Sequence, residues 1–229
     1  YIENKHFLLA KIKVVLGFFK TIYKYERVIE IYRELFVWMP ICFGKTHSET
    51  ILILIEFART CFRMSLYEEA ATACYYIYSC FHIAHGCLHF DGFEAAYLLC
   101  QIYEIQCKFE LAYEVYGYLW RTFVRFGAEY SLDITIIEKI YHRYMFILEH
   151  HHHSEYSVLF QISKEYYHSC REFYGHHHEV TIRATLSYAH HCEMREEHRE
   201  TSISLYESVI KYCKETKTEF TKKTLHTCN

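Results

Sequence analysis

The feature that most narrows what this chain can fold into is a pattern of apolar residues recurring at a spacing near 42. Counting from Tyr25, apolar side chains fall at offsets 0, 3, 4, 7, 10, 11 and 14, namely Tyr25, Val28, Ile29, Tyr32, Leu35, Phe36 and Met39. A helix brings those offsets onto one face. The template returns 42 residues later as Tyr67, Ala70, Ala71, Cys74, Ile77, Tyr78 and Phe81, and again as Phe109, Ala112, Tyr113, Tyr116, Leu119, Trp120 and Phe123. A looser copy runs Tyr156, Leu159, Phe160, Ser163, Tyr166, Tyr167 and Cys170, and a fifth runs Arg199, Ser202, Ile203, Tyr206, Val209, Ile210 and Cys213. A fixed period of this size marks a chain of stacked supersecondary units.

Between these helices lies a second repeated stripe at offsets 0, 3, 6, 7 and 10. Its copies are Ile51, Leu54, Phe57, Ala58, Cys61; Phe93, Ala96, Leu99, Cys100, Tyr103; Ile134, Ile137, Ile140, Tyr141, Tyr144; and Ile182, Thr185, Tyr188, Ala189, Cys192. They predict the first helix of each pair, the Tyr25-type stripe being the second. Gly44, Gly86, Gly127 and Gly175 precede the first helices, where the previous helix is expected to end and the chain to reverse through a left-handed residue. Ala70 and Ala112 on the second helices, with Ala58, Cys100 and Ala189 on the first, predict close backbone approach. Glu26, Glu68, Glu69, Glu110 and Glu155 sit near the starts of second helices and complement the positive end of the helix dipole. One proline, Pro40, and seven glycines leave few other breaks, so long helices joined by short turns are expected. The pairs are placed near 4–39, 48–82, 91–124, 131–171 and 179–214, with a tail at 215–229, in a single domain spanning 1–229.

Composition excludes several classes. The 25 Lys and Arg are interleaved with 28 Asp and Glu for a net charge of −3, which disfavours nucleic acid as a partner. The purely apolar runs, such as Ile51 to Ile55, are far shorter than a bilayer span, so no transmembrane helix is expected. Eleven cysteines, at 42, 61, 74, 80, 87, 100, 107, 170, 192, 213 and 228, form an odd set without a C-x-x-C pair. They read as reduced, packed thiols of an intracellular, cytoplasmic protein. The absence of an initiator methionine at Tyr1 makes a longer parent chain the expectation.

Gly44, His47, Thr50 and Ile51, followed by Tyr67, Glu69 and Ala70, resemble the tetratricopeptide repeat in its long, 42-residue kinesin-light-chain variety, as found in many fungal repeat proteins. Gly175, His178, Thr181 and Ile182 match equally well, Gly86 and His89 keep half of the motif, and Gly127 is followed by Tyr130 where the histidine would stand. The resemblance covers roughly residues 20 to 214. It implies an all-α, right-handed superhelical solenoid of about five antiparallel helix pairs that binds a protein or peptide partner and needs no cofactor. The asparagine that grips a peptide backbone in that family is replaced by Glu56, Leu98, Lys139 and Ser187. A generic peptide clamp is therefore not implied, and neither is a carboxylate clamp.

The residues offer little chemistry. His150 to His153 sit in an expanded turn, and His176 to His178 with His190, His191 and Cys192 span a loop and a helix. Neither group has the four convergent ligands of a structural zinc site, and adjacent histidines on a helix point about 100° apart. Polar loops are the expected role of these runs, with metal binding as a third reading. No G-x-S-x-G, G-x-G-x-x-G or Walker loop occurs, so no catalytic residue is assigned and the chain is read as a non-enzyme.

In stacked hairpins the first helices line the concave side. By repeat offset the expected contact surface comprises Lys13, Lys20, Arg59, Arg63, Gln101, Glu104, His142, Arg183, His190 and Glu193, with Phe62, Tyr97 and Met145 as apolar anchors. Basic residues toward one end suit an acidic or extended peptide. The leading expectation is a protein-interaction scaffold, and the alternative is the sensor or regulatory repeat region of a larger, NTPase-linked signalling switch.

Overall fold

A computed structural model of the chain describes residues 2–85, 90–130, 133–151 and 156–216. Among them are ten α-helices and no strand: α1 (Ile2–Thr21), α2 (Tyr25–Cys42), α3 (Ser48–Arg63), α4 (Tyr67–His85), α5 (Phe90–Ile105), α6 (Phe109–Tyr130), α7 (Ile134–His150), α8 (Tyr156–Tyr174), α9 (Glu179–Glu193) and α10 (Arg199–Thr216), with one 3-10 turn at Glu196–His198 before the last. Two compact units divide the chain inside α6, Tyr1–Leu119 and Trp120–Asn229.

In the first unit the repeated stripes are the core. Val28, Ile29, Tyr32, Leu35 and Met39 of α2, Ile51, Leu54, Phe57, Ala58 and Cys61 of α3, and Ala70, Ala71, Cys74, Ile77 and Phe81 of α4 are all buried. Phe57 lies against both Tyr32 and Phe36, at ring-centroid separations of 5.8 and 6.0 Å, so α3 packs backward on α2. Ile51, Leu54 and Ile55 pack forward in one cluster with Ile77 and Phe81 of α4 and Ala95 of α5. Ala58, Ala70, Cys100 and Ala112 are fully buried. Their small side chains let the backbones close up.

The turns within pairs repeat as faithfully as the stripes. Tyr23, Ser65 and Cys107, each 42 residues from the next, adopt positive φ of 56°, 59° and 57°. In each turn the following amide reaches back to the helix: Lys24 N donates to Phe19 O at 3.0 Å, Leu66 N to Cys61 O at 2.9 Å and Lys108 N to Tyr103 O at 2.8 Å. Tyr23 N, Ser65 N and Cys107 N donate to the carbonyls of Lys20, Phe62 and Glu104. These are Schellman stops, in which the left-handed residue is ordinarily glycine. Here a side chain occupies it each time, which is why no sequence signal marked the turn.

The turns between pairs use a different device. Gly44 and Gly175 have φ of +109° and +80°. Three residues on, the imidazole Nδ1 of His47 accepts from Glu49 N at 3.2 Å, and that of His178 accepts from Val180 N at 3.3 Å. Each histidine therefore caps the helix it precedes. The threonine three residues further reaches back across the turn: Thr50 Oγ1 donates to Gly44 O at 2.8 Å, and Thr181 Oγ1 to Cys170 O at 3.1 Å. The G-x-x-H-x-x-T spacing is thus a stop, a cap and a strap. At the third junction the cap is Asp133, whose carboxylate accepts from Thr135 N at 2.9 Å. Gly86, His89 and Glu155 lie outside the described residues.

Gly127 corrects the expectation that it ends a helix. It is buried inside α6, which runs on to Tyr130. A Cβ there would stand 2.7 Å from Phe123 Cδ2 and 3.0 Å from Phe173 Cε2, so the missing side chain makes room for two rings that meet edge to face. The second unit is built round such rings: Tyr141 stacks on Tyr166 at 4.0 Å, and Trp120 packs on both while its indole N–H donates to Glu165 at 3.0 Å. The fifth stripe is the least regular. Ile203, assigned to it by offset, is 52% exposed, while Ser202, Val209 and Cys213 are buried.

Two outcomes follow from the turns and the glycine. Ser65→Gly, measured by urea unfolding, should raise stability by about 1 kcal/mol, because the left-handed conformation penalises a side chain by roughly that amount. Gly127→Ala should lower it by about 1–3 kcal/mol through overpacking against Phe123 and Phe173, although alanine in an open helix gains ~1 kcal/mol over glycine.

Candidate protein-interaction surface

The first helices α1, α3 and α5 carry the expected contact residues of the first unit, and most of the charged ones already have partners. Lys13 of α1 pairs with Glu49 of α3, Lys20 of α1 with Glu56 of α3 at 2.7 Å, and Arg59 of α3 with Glu94 of α5. Glu56 also accepts from Arg59 at 2.9 Å, so Lys20, Glu56, Arg59 and Glu94 form one chain of charges across three successive first helices. Burial alone would lower the Lys20 ammonium, but its bonds to Glu56 and the Tyr32 phenol hold it above its ordinary value. Burial would likewise raise Glu56, and Lys20 and Arg59 override it and hold the carboxyl below its ordinary value.

One offset recurs in three of the inter-repeat pairs, and Arg59 to Glu94 falls one residue short of it at 35. Lys13 to Glu49, Lys20 to Glu56 and, on the second helices, Arg33 to Glu69 are each separated by 36 residues. One repeat less about a turn and a half of helix sets a cation beside an anion on the next hairpin. All the partners are at least partly solvated, so each pair contributes little to stability. Of the basic residues expected to suit an acidic or extended peptide, Lys13, Lys20 and Arg59 are each matched by a carboxylate of the next repeat, which leaves Arg63.

The other residues of the first unit fall into two groups. Glu104 accepts from the phenol of the buried Tyr116 at 2.6 Å, so it faces into the hairpin. Burial above all, with the nearby Cys100 and this carboxylate, pushes the Tyr116 phenol upward. Arg63 is exposed and Gln101 half-buried, neither bonded to a described residue, while Phe62 packs edge to face on Tyr67 at 5.8 Å and Tyr97 is half-buried. Sequence reasoning missed the apolar surface of α1, where Phe7, Val14 and Phe18 are exposed. It also missed the groove of about 570 Å³ between α1 and α2, lined by Leu8, Ile12, Val15, Ile31, Leu35 and Trp38. Stripes counted from Tyr25 do not reach α1.

In the second unit Arg183 of α9 pairs with Glu138 of α7 and with Glu179 on its own helix. His142 is exposed with its ring 5.3 Å from Tyr141, His190 is exposed beside His191, and Glu193 accepts from Tyr206 at 3.4 Å. Met145 is buried, which corrects its assignment as an exposed anchor: its side chain is part of the core.

The histidine groups do not converge. His178 caps α9, His176 accepts from Arg171 at 3.1 Å, and His177 stacks on Tyr212 at 5.0 Å. His191 is buried and its Nδ1 bonds Ser187 O at 2.8 Å, while His150 stacks on Phe146 at 4.5 Å. His152 and His153 lie outside the described residues. Among the described residues no three His, Cys, Asp or Glu side chains gather about one point. The nine described cysteines are unpaired, six of them buried, and burial pushes the Cys61 thiol up to about 12. No helix of the described residues is long and apolar enough to cross a membrane.

No family model and no curated protein matches this sequence. Among solved structures, the chain is similar to the nearly identical TPR-like repeats of a Podosopora anserina kinesin light chain, at 10% identity and a TM-score of 0.54 over 89% of this chain and 94% of that one. A point variant of the same repeats gives 10% identity and a TM-score of 0.53 over 89% and 93%. With ten helices and no strand among the described residues, the chain has the TPR-like helical-repeat fold.

The buried histidine yields a pH dependence. Burial lowers the His191 pKa below its ordinary 6.5, ahead of the Ser187 and Glu149 contacts that raise it and His190, which lowers it. The unfolded chain therefore takes up the proton more readily, and the stability contribution is present above that value and lost as the pH falls below it. Denaturant midpoints should drop from neutral to about pH 5. Partial desolvation lowers His142 and His168 too and adds to the trend, so the identifying result is a shallower drop in His191→Gln.

Proposed function

We propose that this chain is a non-catalytic scaffold that holds a protein or peptide partner on the surface of its first helices. The observation that carries this reading is the charge chain Lys20, Glu56, Arg59 and Glu94, which ties three successive first helices into one ordered surface. A surface whose long side chains are already fixed loses less entropy on binding than a mobile one. The paired cations make that surface a frame, and the contact groups are side chains it displays outside the charge chain: Arg63, Gln101, Phe62 and Tyr97. Arginine and aromatic residues are the types that most often dominate binding energy. The partner is an extended segment offering a carboxylate to Arg63 and an apolar side chain to the Phe62 and Tyr97 edges. The unpaired, mostly buried cysteines favour a reducing compartment, hence an intracellular protein.

Affinity capture with wild type and with Arg63→Glu combined with Gln101→Ala tests the assignment. Both positions are outside the core, so circular dichroism should stay the same while recovery of specific partners drops on the order of tenfold. An unchanged set and yield of captured proteins would show that the partner sits elsewhere.

A further inference from the structure

The interface between α2 and α4 and the one between α4 and α6 are successive copies of the same contact, and they differ at all seven positions that line the later one. In the earlier copy Arg33 lays its guanidinium in a bidentate bond on Glu69, at 2.9 and 2.7 Å. Forty-two residues on, Arg33 becomes Tyr75, Glu69 becomes Leu111, Cys61 becomes Tyr103 and Thr72 becomes Glu114. Both members of the ion pair are gone. At that place is a cleft of about 320 Å³, lined by Tyr75, Tyr78, Tyr103, Leu111, Val115 and Glu114, together with Ser79.

The lining has the chemistry of a cation site. It contains three phenol rings, one carboxylate and no basic side chain, and Glu114 makes no ion pair with a described residue. Tyr75 is 55% exposed, so the cleft is open to a partner. Tyr75 and Tyr78 lie 6.3 Å apart at 48°, and Tyr78 is held from behind by Tyr118 in an edge-to-face contact at 5.2 Å. Burial, followed by the neighbouring Tyr75, keeps the Tyr103 phenol above its ordinary value and hence neutral. Neutral rings attract cations through their negative faces, guanidinium among them, and a nearby carboxylate adds to the attraction.

We propose that the α4–α6 cleft binds the guanidinium of an arginine side chain supplied by a partner protein, in the place that Arg33 fills from within the chain one repeat earlier. This contact is on the second helices and so is separate from the surface proposed above for the first helices.

The test is a titration of the whole chain with N-acetylarginine methylamide and with its uncharged isostere N-acetylcitrulline methylamide. The readout is the NMR ring signals of Tyr75 and Tyr103, assigned by Tyr75→Phe and Tyr103→Phe. Saturable shifts are expected for the arginine compound in the millimolar range, with citrulline about tenfold weaker, since a solvated cation–π contact and one ion pair are what distinguish them. Glu114→Gln, at an exposed position, should weaken the arginine compound about fivefold. Tyr75→Arg with Leu111→Glu rebuilds the Arg33–Glu69 pair inside the cleft and should abolish the shifts while the thermal midpoint is retained. Equal responses to the two compounds, or an arginine response that Glu114→Gln leaves unchanged, would overturn the proposal. If the double variant fails to fold, Glu114→Gln and the citrulline comparison still decide. None of these outcomes bears on the Arg63 test.

Discussion

A helical hairpin has two apolar edges and can cover only one of them with its own second helix, so a first helix such as α3 must serve two hairpins at once. Phe57 makes the point physically: it is almost fully buried because Tyr32 and Phe36 close over it from the preceding hairpin, while Ile51 and Leu54 of the same helix pack on Ile77 of the following helix. Removing either neighbour would return a stripe of isoleucine, leucine and phenylalanine to water, each costing about 1.5–3 kcal/mol. The fully buried alanines and cysteines at the crossing points are the condition for this sharing. A larger side chain there would hold the helices apart and leave the large side chains only half covered.

The period made that seam readable from sequence, because apolar spacing is a direct image of which face is buried. The two kinds of turn were not equally readable. Gly44 and Gly175 announced themselves through composition and adopt the left-handed backbone expected of them. Tyr23, Ser65 and Cys107 adopt the same backbone without glycine, and no propensity rule singles out a tyrosine for that role. Gly127 shows the converse: the same residue type, read as a stop, lacks a side chain for a packing reason, to admit Phe123 and Phe173. A glycine states only that a Cβ is unwanted; whether φ or a neighbour forbids it is a tertiary fact.

The charged residues of the first helices were legible as a surface but not as pairs. Lys13, Lys20, Arg59 and Arg183 stand on partly solvated positions of first helices, and besides the local partners Glu56 of Arg59 and Glu179 of Arg183, each meets a carboxylate 35 to 45 residues away. Their meeting depends on how far one hairpin is rotated past the next, which the period does not contain. Once the Lys20–Glu56 distance is known, the 36-residue offset reappears on the second helices as Arg33–Glu69, so one relation governs two layers of the first unit. Frame and contact surface separate on pairing: Lys13, Lys20 and Arg59 each meet a carboxylate of the next repeat 35 or 36 residues on, whereas for Arg63 those positions are Leu98 and Leu99, neither a carboxylate.

Repetition thus supplies its own control experiment. When two interfaces share a backbone arrangement and a core, differences between equivalent positions cannot be attributed to the fold, since the fold is demonstrably satisfied by either set. Buried positions such as Ala70 and Ala112, or Ile77 and Leu119, change little from one copy to the next because the seam constrains them. Arg33 and Tyr75 occupy equivalent, solvent-accessible places and differ in charge, shape and partner. The exchange of an ion pair for tyrosines and a carboxylate forfeits a bidentate bond that stabilises the stack. A chain that keeps its period in the core while giving up such a bond at one interface has freed that interface to bind something other than itself.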